Sequence, residues 1–240
     1  MSPQKTTPII RLLSAPAIIL ICILTYWNGI ENGFTYDDHY VISANELVRS
    51  VDPSQIFTSP FWRGFATEGS GTYYRPFTVL TYSLDHSLYT LAPSGFHLTN
   101  ILLHTVTALL VLLLSRRLIR SERAALAAGL VFAVHPVLTE AVASASGRSD
   151  VLVTLFGLSA ILCHLSRRTW VRRASCIPLF LALCSKEIGL VLPTILFICD
   201  LLWPRENLSG ASHIKSLVKT HALSLAAVIA FVGLQWIIRW

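Results

Sequence analysis

An all-α, polytopic membrane helix bundle is the fold class this sequence predicts, and three observations carry the prediction. Hydrophobic residues fill 53% of the 240 positions and charged residues only 13%, about half the charge of an ordinary soluble domain. The apolar residues gather into runs approaching the roughly 20 positions a helix needs to cross a bilayer. The basic residues sit in short clusters between those runs, so the net charge of +6 reads as membrane topology and nucleic-acid binding is excluded.

The first run, about 10–29, follows Lys5 and Arg11 and ends at Tyr26-Trp27 without a small-residue cleavage site. It reads as a retained signal anchor. A long loop, about 30–95, comes next and holds two amphipathic stretches expected to lie against the membrane. In one, Val41, Leu47, Val48, Val51, Ile56 and Phe57 suggest short helices interrupted at Pro53. In the other, Phe77, Leu80, Leu84, Leu88 and Leu91 recur at helical spacing, with tyrosines suited to an interface.

Six further spans are expected at 96–115, 124–140, 150–166, 174–186, 188–203 and 220–238. Seven in all is the preferred count, with six or eight as alternatives. Cys22, Cys163, Cys176, Cys184 and Cys199 lie within apolar runs, odd in number and without metal-ligand spacing, and read as small buried hydrophobes.

Orientation follows from Lys and Arg. With a cytosolic N-terminus, 13 of the 19 basic residues fall on the cytosolic side and 10 of the 13 acids on the other. The sequon Asn207-Leu208-Ser209 then faces the cytosol and is expected to be unmodified.

The acid-rich face collects the chemistry. Asp37, Asp38, His39, Arg75, His97, Asn100, His104, His135, Glu140, Arg148, Asp150, Lys186 and Glu187 all map to that end of the bundle. Carboxylates there can serve as general base, and cations can clamp a phosphate. His97, Asn100 and His104 share one helical face, directed toward the bundle interior. Each group also has a plainer reading. Asp37 and Asp38 can be solvated loop residues, Lys186 and Glu187 a structural pair, Arg148 and Asp150 a cap of the fourth span (Ser149 and Asp150 being good N-terminal residues), and His97 and His104 hydrogen-bonded core residues. A divalent metal stays open, with no H-x-x-x-H spacing to support one.

The motifs Phe34-Thr35-Tyr36-Asp37-Asp38, Tyr74-Arg75-Pro76-Phe77, Gly95-Phe96-His97-Leu98-Thr99-Asn100, His135-Pro136, Thr139-Glu140-Ala141-Val142, Gly147-Arg148-Ser149-Asp150 and Ser185-Lys186-Glu187 stand in this order. Together with His104 they resemble the transmembrane and tetratricopeptide-repeat O-mannosyltransferases, over about residues 30–203. That family is similar to the GT-C glycosyltransferases of the endoplasmic reticulum.

The resemblance implies a multi-pass protein of the endoplasmic reticulum membrane. It implies transfer of mannose from dolichyl-phosphate mannose to Ser or Thr of lumenal or secretory proteins, notably cadherin-like domains. The catalytic acids would be Asp37 and Asp38, with Asp38 the preferred base, and Arg75, Arg148 and Lys186 are the candidates among which the residue neutralising the donor phosphate is sought. Dolichyl-phosphate mannose enters as donor substrate and no resident cofactor is named. Family members continue into further spans and a lumenal repeat array absent from this sequence, so the expectation is of a shortened chain with uncertain activity alone. A non-catalytic membrane scaffold or adaptor, and less so a transporter, are the alternatives; a transporter calls for midplane acids and internal repeats.

Overall fold

The computed structural model describes residues 8–62, 73–119, 121–203 and 211–239, and among them there are helices and no strands. The sequon lies outside the described residues. Helices α1 (Pro8–Tyr26), α2 (Glu46–Ser50), α3 (Pro53–Phe57), α4 (Pro76–Tyr89), α5 (Pro93–Ile119) and α6 (Glu122–Val134) form the first half. The second half holds α7 (Thr139–Ala143), α8 (Arg148–His164), α9 (Thr169–Arg173), α10 (Cys176–Leu183), α11 (Leu192–Leu202) and α12 (Ala211–Arg239).

A helix occupies each of the seven expected windows, but not all are long enough to cross alone. Among the described residues three suffice by length and composition, Pro8–Gly29, Pro93–Ile119 and Leu217–Ile238. A fourth is reached if α6 and the following Pro136–Ala143 segment, bent by 46°, count as one span. Pro136 causes the bend, since proline cannot continue the hydrogen-bond ladder of α6. Between α10 and α11 the chain turns at Ser185-Lys186 and passes through a 3-10 segment, Glu187–Val191, so two short helices stand where full spans were expected.

Four apolar cores hold the bundle among the described residues, the smallest of them around Tyr26, Ile101, Val142 and Val151. Helices α1, α5 and α6 meet around Ile18, Cys22, Ala108 and Leu112. Helices α8, α10 and α12 meet around Ala160, Leu179, Leu183 and Phe231. Another core docks the described part of the long loop: Val41, Ile42, Leu47, Val48, Ile56 and Phe61 pack onto Val79, Tyr82 and Phe96. Each such side chain contributes about 1.5–3 kcal/mol when fully buried. The loop is thereby docked over the end of the bundle.

Helix α4 departs from the amphipathic expectation. It buries Thr78, Val79, Tyr82, Ser83 and Asp85, while Leu84 and Leu88 of the predicted stripe are 51% and 72% exposed. Leu84 and Leu88 thus face outward while Phe77, Leu80 and Leu91 pack partly buried against the cores, and Thr78, Ser83 and Asp85 turn inward toward a polar site.

Candidate active-site cleft

The loop carrying the two aspartates is shaped before the bundle contributes anything. Tyr36 adopts the left-handed region at φ 43°, costly for a bulky residue. The Asp38 carboxylate reaches back to the Thr35 N–H, which donates to Oδ2 at 3.0 Å, the return half of a capping box. The other oxygen, Oδ1, accepts from the Ser146 N–H at 2.6 Å and the Ser144 hydroxyl at 3.2 Å. Asp38 is therefore fully buried and its oxygens are committed to the protein. Asp38 ties the loop to the chain segment before α8, and both of its oxygens already accept from that framework.

Asp37 is placed differently. It is exposed and lines a cleft of about 330 Å³ with Phe61, Trp62, Arg75, Glu140, Asp150 and Lys186. That volume falls at the lower end of small-molecule pockets. Among the described residues, no side chain hydrogen-bonds or ion-pairs with Asp37 or Glu140, so both carboxylates are free to take a proton or a ligand.

The cations are held by pairs. Arg75 is fixed to Glu187 by Nη2 to Oε2 at 2.9 Å and Nε to Oε1 at 3.2 Å. Its guanidinium also stacks 4.8 Å from the Tyr73 ring centroid and 5.1 Å from that of Phe61. Lys186 Nζ donates to Asp150 Oδ1 at 2.6 Å. An ammonium has three donors, so two remain for another anion, and Arg75 keeps Nη1. The N-terminus of α4 is tied to this turn, since Thr78 Oγ1 donates to the Ser185 carbonyl at 3.0 Å and the Phe77 N–H to that of Cys184 at 3.0 Å. This brings Arg75 and Lys186 to one wall.

Arg148, Asn100 and His97 do not reach the cleft. Arg148 is fully buried, with Nη2 2.5 Å from Asp85 Oδ2, Nε 2.7 Å from Asn100 Oδ1 and Nη2 3.0 Å from the Phe96 carbonyl. Its guanidinium lies 4.7 Å from the Tyr82 ring centroid. Asp85, on the inward face of α4, holds Arg148 as a strut between α4, α5 and α8. His97 is buried with neither ring nitrogen hydrogen-bonded among the described residues. His104 faces the interior and approaches the Ala133 carbonyl at 3.2 Å. His135 is exposed and its Nδ1 accepts from the Val137 N–H at 3.2 Å, a local cap.

Burial pushes the Tyr74 hydroxyl up to about 12 and raises that of Tyr82 as well, so both stay neutral donors. Tyr74 donates to the Phe57 carbonyl at 2.9 Å and Tyr82 to that of Ala145 at 3.0 Å. They pin the loop and the 144–147 turn.

Sequence reasoning missed that turn. Ser144 and Ser146 hold Asp38, and Gly147 lets the chain pass against α7, since a Cβ there would sit 2.6 Å from the Ala141 carbonyl oxygen. The one available signal was the run of small residues Ala143-Ser144-Ala145-Ser146-Gly147 between two polar motifs.

Fold and cleft together define a polytopic all-α membrane protein with an acid-and-cation cleft at one end of its helices. The chain belongs to the TMTC protein O-mannosyl-transferase family. It is 35% identical to a protein O-mannosyl-transferase of Caenorhabditis elegans over 194 residues, covering 79% of this chain and 28% of the relative. It is 37% identical to Tmtc1 of Drosophila melanogaster over 195 residues, covering 78% of this chain and 23% of the relative. Human TMTC2 is 37% identical over 155 residues, 60% of this chain and 18% of the relative. The chain thus spans under a third of the length of these relatives. No family model and no solved structure matches.

Proposed function

We propose that the cleft transfers a mannosyl group from dolichyl-phosphate mannose to a Ser or Thr hydroxyl of a protein, on the lumenal face of the endoplasmic reticulum membrane. The observation that carries the reading is the pairing of one free, exposed carboxylate, Asp37, with two incompletely used cations, Arg75 and Lys186, in one cleft. Asp37 takes the acceptor hydroxyl proton as the oxygen attacks the sugar C1. The C1–O bond to phosphate breaks on the opposite face, with inversion, and dolichyl phosphate leaves. Arg75 and Lys186 receive the charge gathered on that phosphate. Glu140 lines the cleft as a further carboxylate for sugar hydroxyls. Cadherin-like domains are the proposed acceptors.

The test is transfer of labelled mannose from dolichyl-phosphate mannose in nanodiscs, with this chain and, in parallel, a full-length relative carrying the corresponding substitution. An Asp37→Asn variant that transfers mannose at the wild-type rate in both settings sinks the assignment.

A further inference from the structure

A second polar cluster lies at the far end of the helices from the cleft. Helix α8 runs from Arg148 to His164, about 25 Å at the helical rise, and His164 closes its last turn. Asp200 sits near the end of α11, whose start follows the Lys186 turn. His221 comes from α12. Their ligand atoms all lie within 4.8 Å of one another.

His164 Nε2 stands 3.0 Å and His221 Nε2 2.9 Å from the same oxygen, Asp200 Oδ2. His164 is buried, and neither of its ring nitrogens makes an aligned hydrogen bond among the described residues. His221 Nε2 shares a hydrogen bond with Asp200 Oδ2, so His164 is the buried member of the cluster whose ring nitrogens remain unsatisfied among the described residues. In a tetrahedral zinc site, with bonds of about 2.0–2.2 Å, neighbouring ligand atoms stand ~3.3 Å apart, so small shifts convert this cluster to three ligands. The His221 side chain is 26% exposed, which gives an ion a path in.

Arg172 is the remaining neighbour. It is fully buried and its Nη2 donates to both Asp200 oxygens at 2.7 Å. A donor on a ligating carboxylate fixes its orientation, while the guanidinium charge opposes a second cation and holds affinity to a moderate range.

We propose that His164, Asp200 and His221 form a divalent transition-metal site, with two imidazoles and one carboxylate suited to Zn2+, that clamps α8, α11 and α12 together away from the sugar-transfer cleft. This donor set is the one expected for Zn2+ or Co2+ rather than Ca2+ or Mg2+.

The experiment titrates Co2+ into the whole chain in detergent, purified without a histidine tag. The expected result is about one Co2+ per chain with the visible d–d absorption of a four- or five-coordinate ion, displaced by Zn2+. His221→Ala, at a partly exposed position that leaves the Arg172–Asp200 pair intact, should weaken binding at least about tenfold. His135→Ala should leave it unchanged. Zn2+ should raise the melting temperature of the wild type and of His135→Ala but not of His221→Ala. Absence of stoichiometric Co2+ binding in a monodisperse wild-type sample overturns the site, as does undiminished binding by both His221→Ala and Asp200→Asn.

Discussion

The Ser146 backbone N–H donates to Oδ1 of Asp38 at 2.6 Å, joining the first loop to the entrance of α8. The two adjacent aspartates therefore divide the work. Asp38 is spent on architecture and Asp37 is left open to the cleft. Asp37→Asn should slow mannose transfer about 10²–10⁴-fold, the usual worth of a general base, with an unchanged melting temperature. Asp38→Ala leaves the Ser146 N–H without its acceptor, costing about 1–3 kcal/mol, so it should lower both melting temperature and activity. Equal melting temperatures for the two variants would contradict this division.

The Lys186 ammonium spends one donor on Asp150 and offers the others to the cleft. Lys186→Met removes a charged hydrogen-bond donor worth about 1.5–3 kcal/mol. The KM for the lipid-linked donor should rise about tenfold or more while that for acceptor peptide stays put. Steady-state kinetics varying each substrate separately reads the split, and a selective rise in acceptor KM would place Lys186 on the wrong side of the reaction.

Arg148 and Asp85 form a buried pair at 2.5 Å. Asp85→Leu strands a charge in the interior, and loss of one partner of such a pair costs about 3–5 kcal/mol. Asp85→Leu with Arg148→Met should recover much of that loss, because an apolar pair of similar volume needs no desolvation. Burial raises the Asp85 carboxyl above 3.8, against the pull of Arg148 and Thr99. The folded chain thus keeps this proton to higher pH than the unfolded chain does. Stability falls as pH rises from 3.8 through the raised value, a slope that Asp85→Leu should abolish in thermal melts.

Much of this was legible in the sequence. The acids bias to one face, and the loop's Val41, Leu47, Val48 and Ile56 are apolar enough to dock, so Asp37, Arg75, Glu140, Asp150 and Lys186 could be brought to one end before any coordinates. The fate of Arg148 was not legible, because its partner Asp85 sits on a helix whose leucines advertise the opposite face as the buried one. In a membrane protein the apolar stripe can face lipid, which inverts the soluble-protein rule. Nor was the His164–Asp200–His221 cluster visible, since its three members come from three helices with no local spacing between them.

The turn before α8 offers the sharpest steric test of the cleft. A Cβ on Gly147 would lie 2.6 Å from the Ala141 carbonyl oxygen and 2.7 Å from its Cα, both backbone atoms. Neither can swing aside as a side-chain tip would, so Gly147→Ala has to move α7 away from the 144–147 turn. That displaces Glu140 on one wall and the Ser144 and Ser146 anchors of Asp38 on the other. Gly157→Ala is the matched control on α8, where the added Cβ meets only the Leu192 side chain at 3.0 Å. Both variants should insert in the membrane; Gly147→Ala should lose mannose transfer, and Gly157→Ala should keep most of it with a melting temperature lowered by packing strain of about 1–3 kcal/mol. Retained transfer in Gly147→Ala would show that the spacing between α7 and this turn does not set the cleft.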